Sequence, residues 1–242
     1  MTDVTVILAA HHEGALAGPT IRSMLDAVAR AQEDGIAVEV AVVLDDPSAA
    51  TLEVFSDAEE RGWVVHQVDF KDHGLARNYA VERAAGSCVA HLDADDLWSR
   101  NWLSAAFGLC RSEGDVIVHP EVDWFFGESA NLFFHVDQVD PSFDPNFMRF
   151  SNYWDSLCLA PRKVFLDHPL APRDIAGGFA YDDWYWNIET VQAGLVHRVA
   201  PDTIHFKRRQ KMSQNIVAVT NKSLTRWAPL LTYDYAQDAD LV

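Results

Sequence analysis

The sequence predicts an α/β fold, a mostly parallel sheet with helices on both faces followed by a smaller mixed lobe. Three observations lead there. Short β-branched runs alternate with segments of helical apolar spacing from residue 4 to residue 93. The ends of those runs carry His11 and His12, Asp45 and Asp46, Asp69, and the acidic stretch Asp93 to Asp96; open α/β sheets bind ligands at the carboxyl ends of their strands. Beyond about residue 112 the texture turns to aromatic-rich short strands and an irregular stretch containing proline. The chain therefore divides into 1–112 and 113–242, two parts of one compact domain.

Taken in order, "VTVILA" (residues 4–9) is a strand, and "GPTIRSMLDAVARAQEDG" (18–35) is an amphipathic helix ended by Gly35. "IAVEVAVVLDD" (36–46) is a strand, "SAATLEVFSDAEERG" (48–62) a helix with Ser48 as its cap, and "WVVHQVDF" (63–70) a strand. "GLARNYAVERAAG" (74–86) is a helix closed by glycine, and "SCVAHLD" (87–93) the fourth strand. Later come "DVIVHPEVDWFFG" (115–127) and "NLFFHVDQV" (131–139), then irregular chain from 140 to 150. No internal repeat or flexible linker interrupts this order.

At 242 residues the chain can bury a core without disulfide or metal staples. Its 19 basic against 36 acidic residues, a net charge of −17, exclude nucleic acid and anionic membrane surfaces as principal partners, since both reward basic surfaces. Cys88, Cys110 and Cys158 are odd in number and widely spaced, which suits reduced, buried thiols. The N-terminal apolar run has no basic leader and meets the polar "HHEG" early, and no apolar segment approaches the about 18 residues that span a bilayer. The expectation is a cytoplasmic protein without an integral membrane segment, with a homodimer left open.

The stretch "GSCVAHLDADDLW" (86–98) sets three carboxylates in four positions after a strand. Strand alternation aims Asp93 and Asp95 the same way, where they repel unless a divalent cation sits between them. Oxygen-only ligation suits Mg²⁺ or Mn²⁺, which complete their shells with water and phosphate oxygens. The competing reading is that these aspartates cap the helix beginning near Ser99 and decorate a turn. An EF-hand is excluded, because Leu97 and Trp98 occupy the positions that need an oxygen ligand and glycine. A haloacid-dehalogenase-type phosphotransferase is excluded because its Asp pair follows the first strand. "HHE" is no zinc motif, since adjacent strand residues point oppositely and no HExxH or Cys pair accompanies them.

Four stretches in order carry a resemblance: "VTVILAAHHEG" (4–14), "VAVVLDDPS" (40–48), "GLARNYAVERAAGSCVAHLDADDLW" (74–98) and "GGFAYDDWYWNIETVQAG" (177–194). Together they resemble the family 2 glycosyltransferases, enzymes of the GT-A (Rossmann-like) fold, over roughly residues 4 to 213. The resemblance implies a nucleoside-diphosphate sugar as donor, a carbohydrate or other hydroxyl-bearing acceptor, and Mn²⁺ or Mg²⁺ as cofactor. It implies that Ala10 and His11 lie in the nucleotide-contacting loop, that Asp45 or Asp46 bonds the base, and that Arg77 lies near the base or diphosphate. Asp93 would sit toward the ribose and metal-bound water, Asp95 would be the direct metal ligand, and Asp183 the general base, supported by Asp182. Without the family, Arg77 reads as a surface arginine paired with Glu82 or another acid, and "DDW" as a helix start that favours acids.

The segment "TIHFKRRQKMS" (203–213) holds four basic residues in five positions and aligns with the family's closing segment over the diphosphate. Alternation puts His205, Lys207 and Arg209 on one face, with His205 a candidate additional metal ligand. The competing reading is a solvated basic strand. Trp124, Phe125, Phe126, Tyr153, Trp154, Trp184 and Trp186 offer sugar-stacking surfaces, though rings of this size more often build core. The family's proline is missing from the first strand, and Pro47 replaces the glycine of its "DDGS", so the base is not assigned. The expected function is a metal-dependent inverting glycosyltransferase. Two alternatives are a catalytically silent nucleotide-sugar-binding protein on the same fold, and a metal-dependent nucleotidyltransferase. The latter is disfavoured because "AAHHEGALAGPT" (9–20) has no lysine or arginine to hold phosphate.

Overall fold

β-branched and apolar runs flanked by polar residues become strands that are covered on both faces. β1 (Val4–Ala10) lies between β2 (Val38–Asp45) and β4 (Cys88–Asp93), and β3 (Val64–Val68) extends the sheet beyond β2; all three pairings are parallel. The computed structural model describes residues 2–210 and 218–232, so Lys211, Met212 and Ser213 of the basic segment lie outside the described residues.

Alternation along β1 explains why it is apolar throughout except at Thr5, whose buried hydroxyl donates to Glu39. Val4, Val6 and Leu8 enter one core together with Met24, Ala27 and Ala31 of α1 (Ala17–Glu33) and with Trp102, Leu103 and Ala106 of α4 (Trp102–Glu113). Ile7 points the other way, into a second core with Ala76 and Ala80 of α3 (His73–Arg83), Phe165 of α5 (Arg162–Asp167) and Trp186 of α6 (Asp182–Gln192). A strand buried on both faces needs apolar residues on both, as parallel strands under crossover helices do. Ser48 caps α2 (Ala49–Val54) by accepting from Thr51 N at 3.2 Å. α4 starts after Asn101 with no side-chain cap, so Asp93, Asp95 and Asp96 are not its capping residues.

The second half completes a nine-stranded sheet among the described residues, in the order β3-β2-β1-β4-β8-β6-β9-β5, with β7 paired to β6. β8 (Leu159–Pro161) runs antiparallel to β4 and β6, and β6 (Val116–Gly127) runs parallel to the long β9 (Val196–Arg209). β5 (Leu97–Trp98) returns antiparallel on β9, and β7 (Asn131–Phe134) antiparallel on β6. The expected parallel sheet holds for β1 to β4; from β8 onward the sheet is mixed. A third core of Met148, Tyr153, Trp154, Ile188 and Leu230 packs under this half.

Cys88, Cys110 and Cys158 are buried free thiols. Among the described residues no helix is long and apolar enough to cross a membrane.

Gly86 does not end α3, which stops at Arg83. It lets the backbone pass close to β1: a Cβ there would meet Thr5 N at 2.4 Å and the Val4 carbonyl carbon at 2.7 Å. Because the obstacles are backbone atoms, Gly86→Ala is expected to cost about 1–3 kcal/mol as an overpacked site. Chemical denaturation would measure it, and an unchanged midpoint would show that the strands can separate freely there.

Candidate active site

The carboxyl ends of β1, β2 and β4 and the flank of β9 enclose one cleft of about 630 Å³. Its lining joins Ala10, His11, Asp45, Arg77, Asp93 and Asp95 from the first half to Asp182, Asp183, Lys207 and Arg209 from the second. Residues more than 100 positions apart in sequence thus share one space.

Arg77 is 1% exposed and donates from Nη2 to Asp93 Oδ1 and from Nη1 to Ser156 Oγ at 3.1 Å. The surface-arginine alternative fails, since Glu82 pairs instead with Arg83. Burial opposes the charge on Asp93, but the Arg77 guanidinium outweighs it and holds the carboxyl below its usual range. Asp95 has no such partner. Burial first and the Asp93 charge second raise its pKa, while Gln210 Nε2 donates to its Oδ2 at 2.6 Å.

Asp96 is buried and accepts the Arg208 backbone N–H at 2.7 Å, so it joins the acidic turn to β9. Lys207 reaches Asp155 by a direct ion pair and stands 3.7 Å from Asp96; burial works against its ammonium, but these acids hold it strongly protonated. Arg209 lies 3.9 Å over the Phe125 ring.

The two acids at the start of α6 differ sharply. Asp182 Oδ1 accepts from Arg173 Nε at 2.7 Å, and its Oδ2 lies 2.8 Å from His73 Nε2. Burial opposes its charge, and these two partners overcome that, holding it far below the usual carboxylate range. Asp183 makes no ion pair among the described residues. Burial, and then the Asp182 charge beside it, push its pKa up to about 6. Tyr181, with φ of 62°, turns the chain into the helix just before this pair. A carboxylate that lines a cleft, is largely ionised at neutrality and has a raised pKa can accept a proton during a reaction.

Several expectations require correction. His205 is fully buried and does not line the cleft; its ring stacks on Trp98 at 5.9 Å and meets Trp102 edge-on at 4.4 Å. It shares a strand face with Lys207 but sits one alternation further back, directly across from Trp98 of β5. Asp46 is also outside the lining, at φ 46° with its carboxylate 3.7 Å from Lys71 Nζ. Asp45 spends its carboxylate on the backbone N–H groups of Phe70, Lys71 and Asp72 at 2.7, 2.9 and 2.9 Å, fixing the loop into α3. The two histidines do not diverge: β1 ends at Ala10, the chain bends, and the rings of His11 and His12 stack at 3.6 Å. The candidate aromatic platforms are mostly core, with Trp154 and Trp186 1% exposed; Phe125 and Trp154 touch the cleft.

Sequence reasoning missed Asp123, Asp155, His73, Arg173 and Gln210. The signal for the first was present, a carboxylate at Asp123 set between the apolar Val122 and Trp124 in the strand "VIVHPEVDWFF". The others lie in loops or helix starts whose partners are set only by folding.

A model of the family described as "Glycosyl transferase family 2" matches residues 5–168. No curated protein matches the chain. Among solved structures, S. aureus TarS 1-349 is similar at 14% identity and a TM-score of 0.63, covering 86% of this chain and 60% of that one. The same protein in complex with UDP-GlcNAc gives 15% identity and a TM-score of 0.62, covering 88% and 60%. GalNAc-T7 with UDP, GalNAc and Mn²⁺ gives 14% identity and a TM-score of 0.62, covering 87% and 44%. The chain thus spans three fifths or less of the length of these structures. Its sheet and helices follow the GT-A arrangement, and the family match runs through the blocks that supply Arg77, Asp93 and Asp95. On these grounds the chain belongs to glycosyl transferase family 2.

Proposed function

We propose that this protein is a metal-dependent, inverting glycosyltransferase that moves a sugar from a nucleoside-diphosphate sugar to an acceptor hydroxyl. One observation carries the reading: a single cleft opposes the open, near-neutral carboxylate of Asp183 to the cations Arg77, Lys207 and Arg209, with Asp93 and Asp95 among them. Structural neighbours with UDP, UDP-GlcNAc or Mn²⁺ in their names add support. On this reading residues 1–112 hold the nucleotide sugar and residues 113–242 supply the acceptor side and the base.

The residues fit a hard divalent cation. Among the described residues Asp95 has one carboxylate oxygen without a donor, and burial and Asp93 both oppose its ionisation, a conflict that a cation removes. Asp95 would be the direct ligand and Asp93, tied to Arg77, would act through water. His205, sealed behind Trp98 and Trp102, is not in the set. When bound, Mn²⁺ or Mg²⁺ supplies charge neutralisation for the departing diphosphate, the larger electrostatic effect in a water-poor cleft.

The chain's own groups do the rest. Lys207 and Arg209 line the cleft from β9 and would face the diphosphate, and Ala10 and His11 line it at the end of β1 and would border the nucleotide. Asp183 takes the proton of the acceptor hydroxyl as its oxygen attacks the anomeric carbon. The bond from that carbon to the diphosphate oxygen breaks on the opposite face, which inverts configuration. Asp182 holds the first turn of α6 in place through His73 and Arg173.

Thermal-shift screening of nucleoside diphosphates and their sugars, with and without Mn²⁺, tests the donor side. At least one nucleoside diphosphate is expected to raise the melting temperature only when Mn²⁺ is present. No shift from any of them, with Mn²⁺ supplied, would sink the reading.

A further inference from the structure

On the β6–β9 side of the cleft, three chelating groups converge that the transfer reaction does not use. Asp123 of β6, His135 just beyond β7 and Asp155 in the loop before β8 each offer one ligand atom, all within 4.8 Å of one another. Asp123 is 0% exposed, yet among the described residues neither of its carboxylate oxygens has a hydrogen-bond donor, and His135 Nε2, its side chain equally buried, has no hydrogen-bond partner either. Buried polar atoms in folded proteins are almost always satisfied, by protein, water or an ion.

The histidine is oriented as metal ligands are. His135 Nδ1 lies 2.7 Å from the Pro120 carbonyl, to which only an N–H can donate, so the proton of a neutral ring is on Nδ1 and the Nε2 lone pair faces Asp123. Nε2 stands 3.4 Å from Asp123 Oδ2, an ion-pair separation without hydrogen-bond geometry. Two ligand atoms each about 2.1 Å from one cation lie roughly 3.0–3.4 Å apart in octahedral or tetrahedral geometry, which fits that gap.

Charge points the same way. The buried Asp96 and Asp123 and the partly buried Asp155 share one ammonium, that of Lys207, which bonds Asp155 and stands 3.7 Å from Asp96. Asp123 is left without a cation other than the imidazole. Asp155 Oδ1 also accepts the Leu157 N–H at 2.8 Å, which holds the carboxylate in place. Asp123 and Asp155 both border the cleft, so an ion has a route in.

We propose that Asp123, His135 and Asp155 form a second divalent-cation site, separate from the Asp93–Asp95 pair, that takes a transition ion such as Mn²⁺ or Zn²⁺. Two carboxylates and one imidazole match the ligand preferences of those ions better than those of Mg²⁺ or Ca²⁺, which favour oxygen alone. The proposal is independent of the donor-binding role given to Asp95.

Equilibrium binding of Mn²⁺ and Zn²⁺ alone, without nucleotide, tests it on the full chain and three variants. One cation is expected to bind the native protein and Asp95→Ala alike, while Asp123→Asn and His135→Gln weaken it at least tenfold. Anomalous diffraction from manganese-soaked native crystals should place a peak bonded to Asp123, His135 and Asp155, a readout that needs no variant to fold. Absence of saturable binding, loss of it in Asp95→Ala, its persistence in Asp123→Asn, or an ordinary water at that position would each overturn the proposal.

Discussion

Asp183→Asn is expected to lower the transfer rate by about 10²- to 10⁴-fold, the usual contribution of a positioned general base, while donor binding stays unchanged. The native enzyme should show an acid limb in its pH–rate profile with a midpoint near 6, the value to which burial and Asp182 push Asp183. The sign is fixed by the role: a base works deprotonated, so activity rises with pH through that midpoint and then levels. In Asp183→Asn this limb should vanish. Stability separates lost chemistry from lost structure. A carboxyl raised in the folded state binds its proton more tightly there than in the unfolded chain, so its ionisation costs stability as pH rises from about 4 to about 6. At pH 8 the asparagine variant should therefore be at least as stable as the native protein. Normal turnover in this variant, or an acid limb that survives in it, would remove Asp183 from the base role.

Asp95→Ala is the second large effect. Calorimetry with UDP and GDP is expected to show that Mn²⁺ strengthens nucleotide binding to the native protein and not to the variant. A metal bridge is worth several kcal/mol, so the Mn²⁺-dependent gain should shrink by about 10²-fold or more at 1.4 kcal/mol per decade. The Arg77–Asp93 pair makes this substitution a clean one. Because Asp93 is already compensated by the buried guanidinium, removing Asp95 leaves no new uncompensated charge beside it. Equal affinity for nucleotide in Mn²⁺ would exclude Asp95 as the ligand.

Much of the site was legible because it sits where local pattern is strongest. The strand runs ending at Ala10, Asp45 and Asp93 are marked by period and composition, and a parallel sheet brings such ends to one edge whatever its loops do. The DDW acids are marked as a helix start, which is where they are found. His205 shows the limit of the same reasoning. Alternation correctly gave it the face of Lys207, but its burial depends on β5 pairing alongside β9, which sets Trp98 and Trp102 against its ring. Asp45 shows another limit, since its partners are backbone groups of a loop 25 to 27 positions away.

The sequence alone determined the alternating α/β half, the acidic turn after β4 and the acid pair opening α6, because each rests on spacing within a dozen residues. Only the tertiary structure decided which acids are free and which are spent. It paired Asp93 with Arg77, Asp182 with His73 and Arg173, and Lys207 with Asp155, leaving Asp183 open and Asp123 without a donor. The physical reason is that a carboxylate's protonation and reactivity are set by burial and by charges within a few ångströms, and those neighbours come from distant parts of the chain.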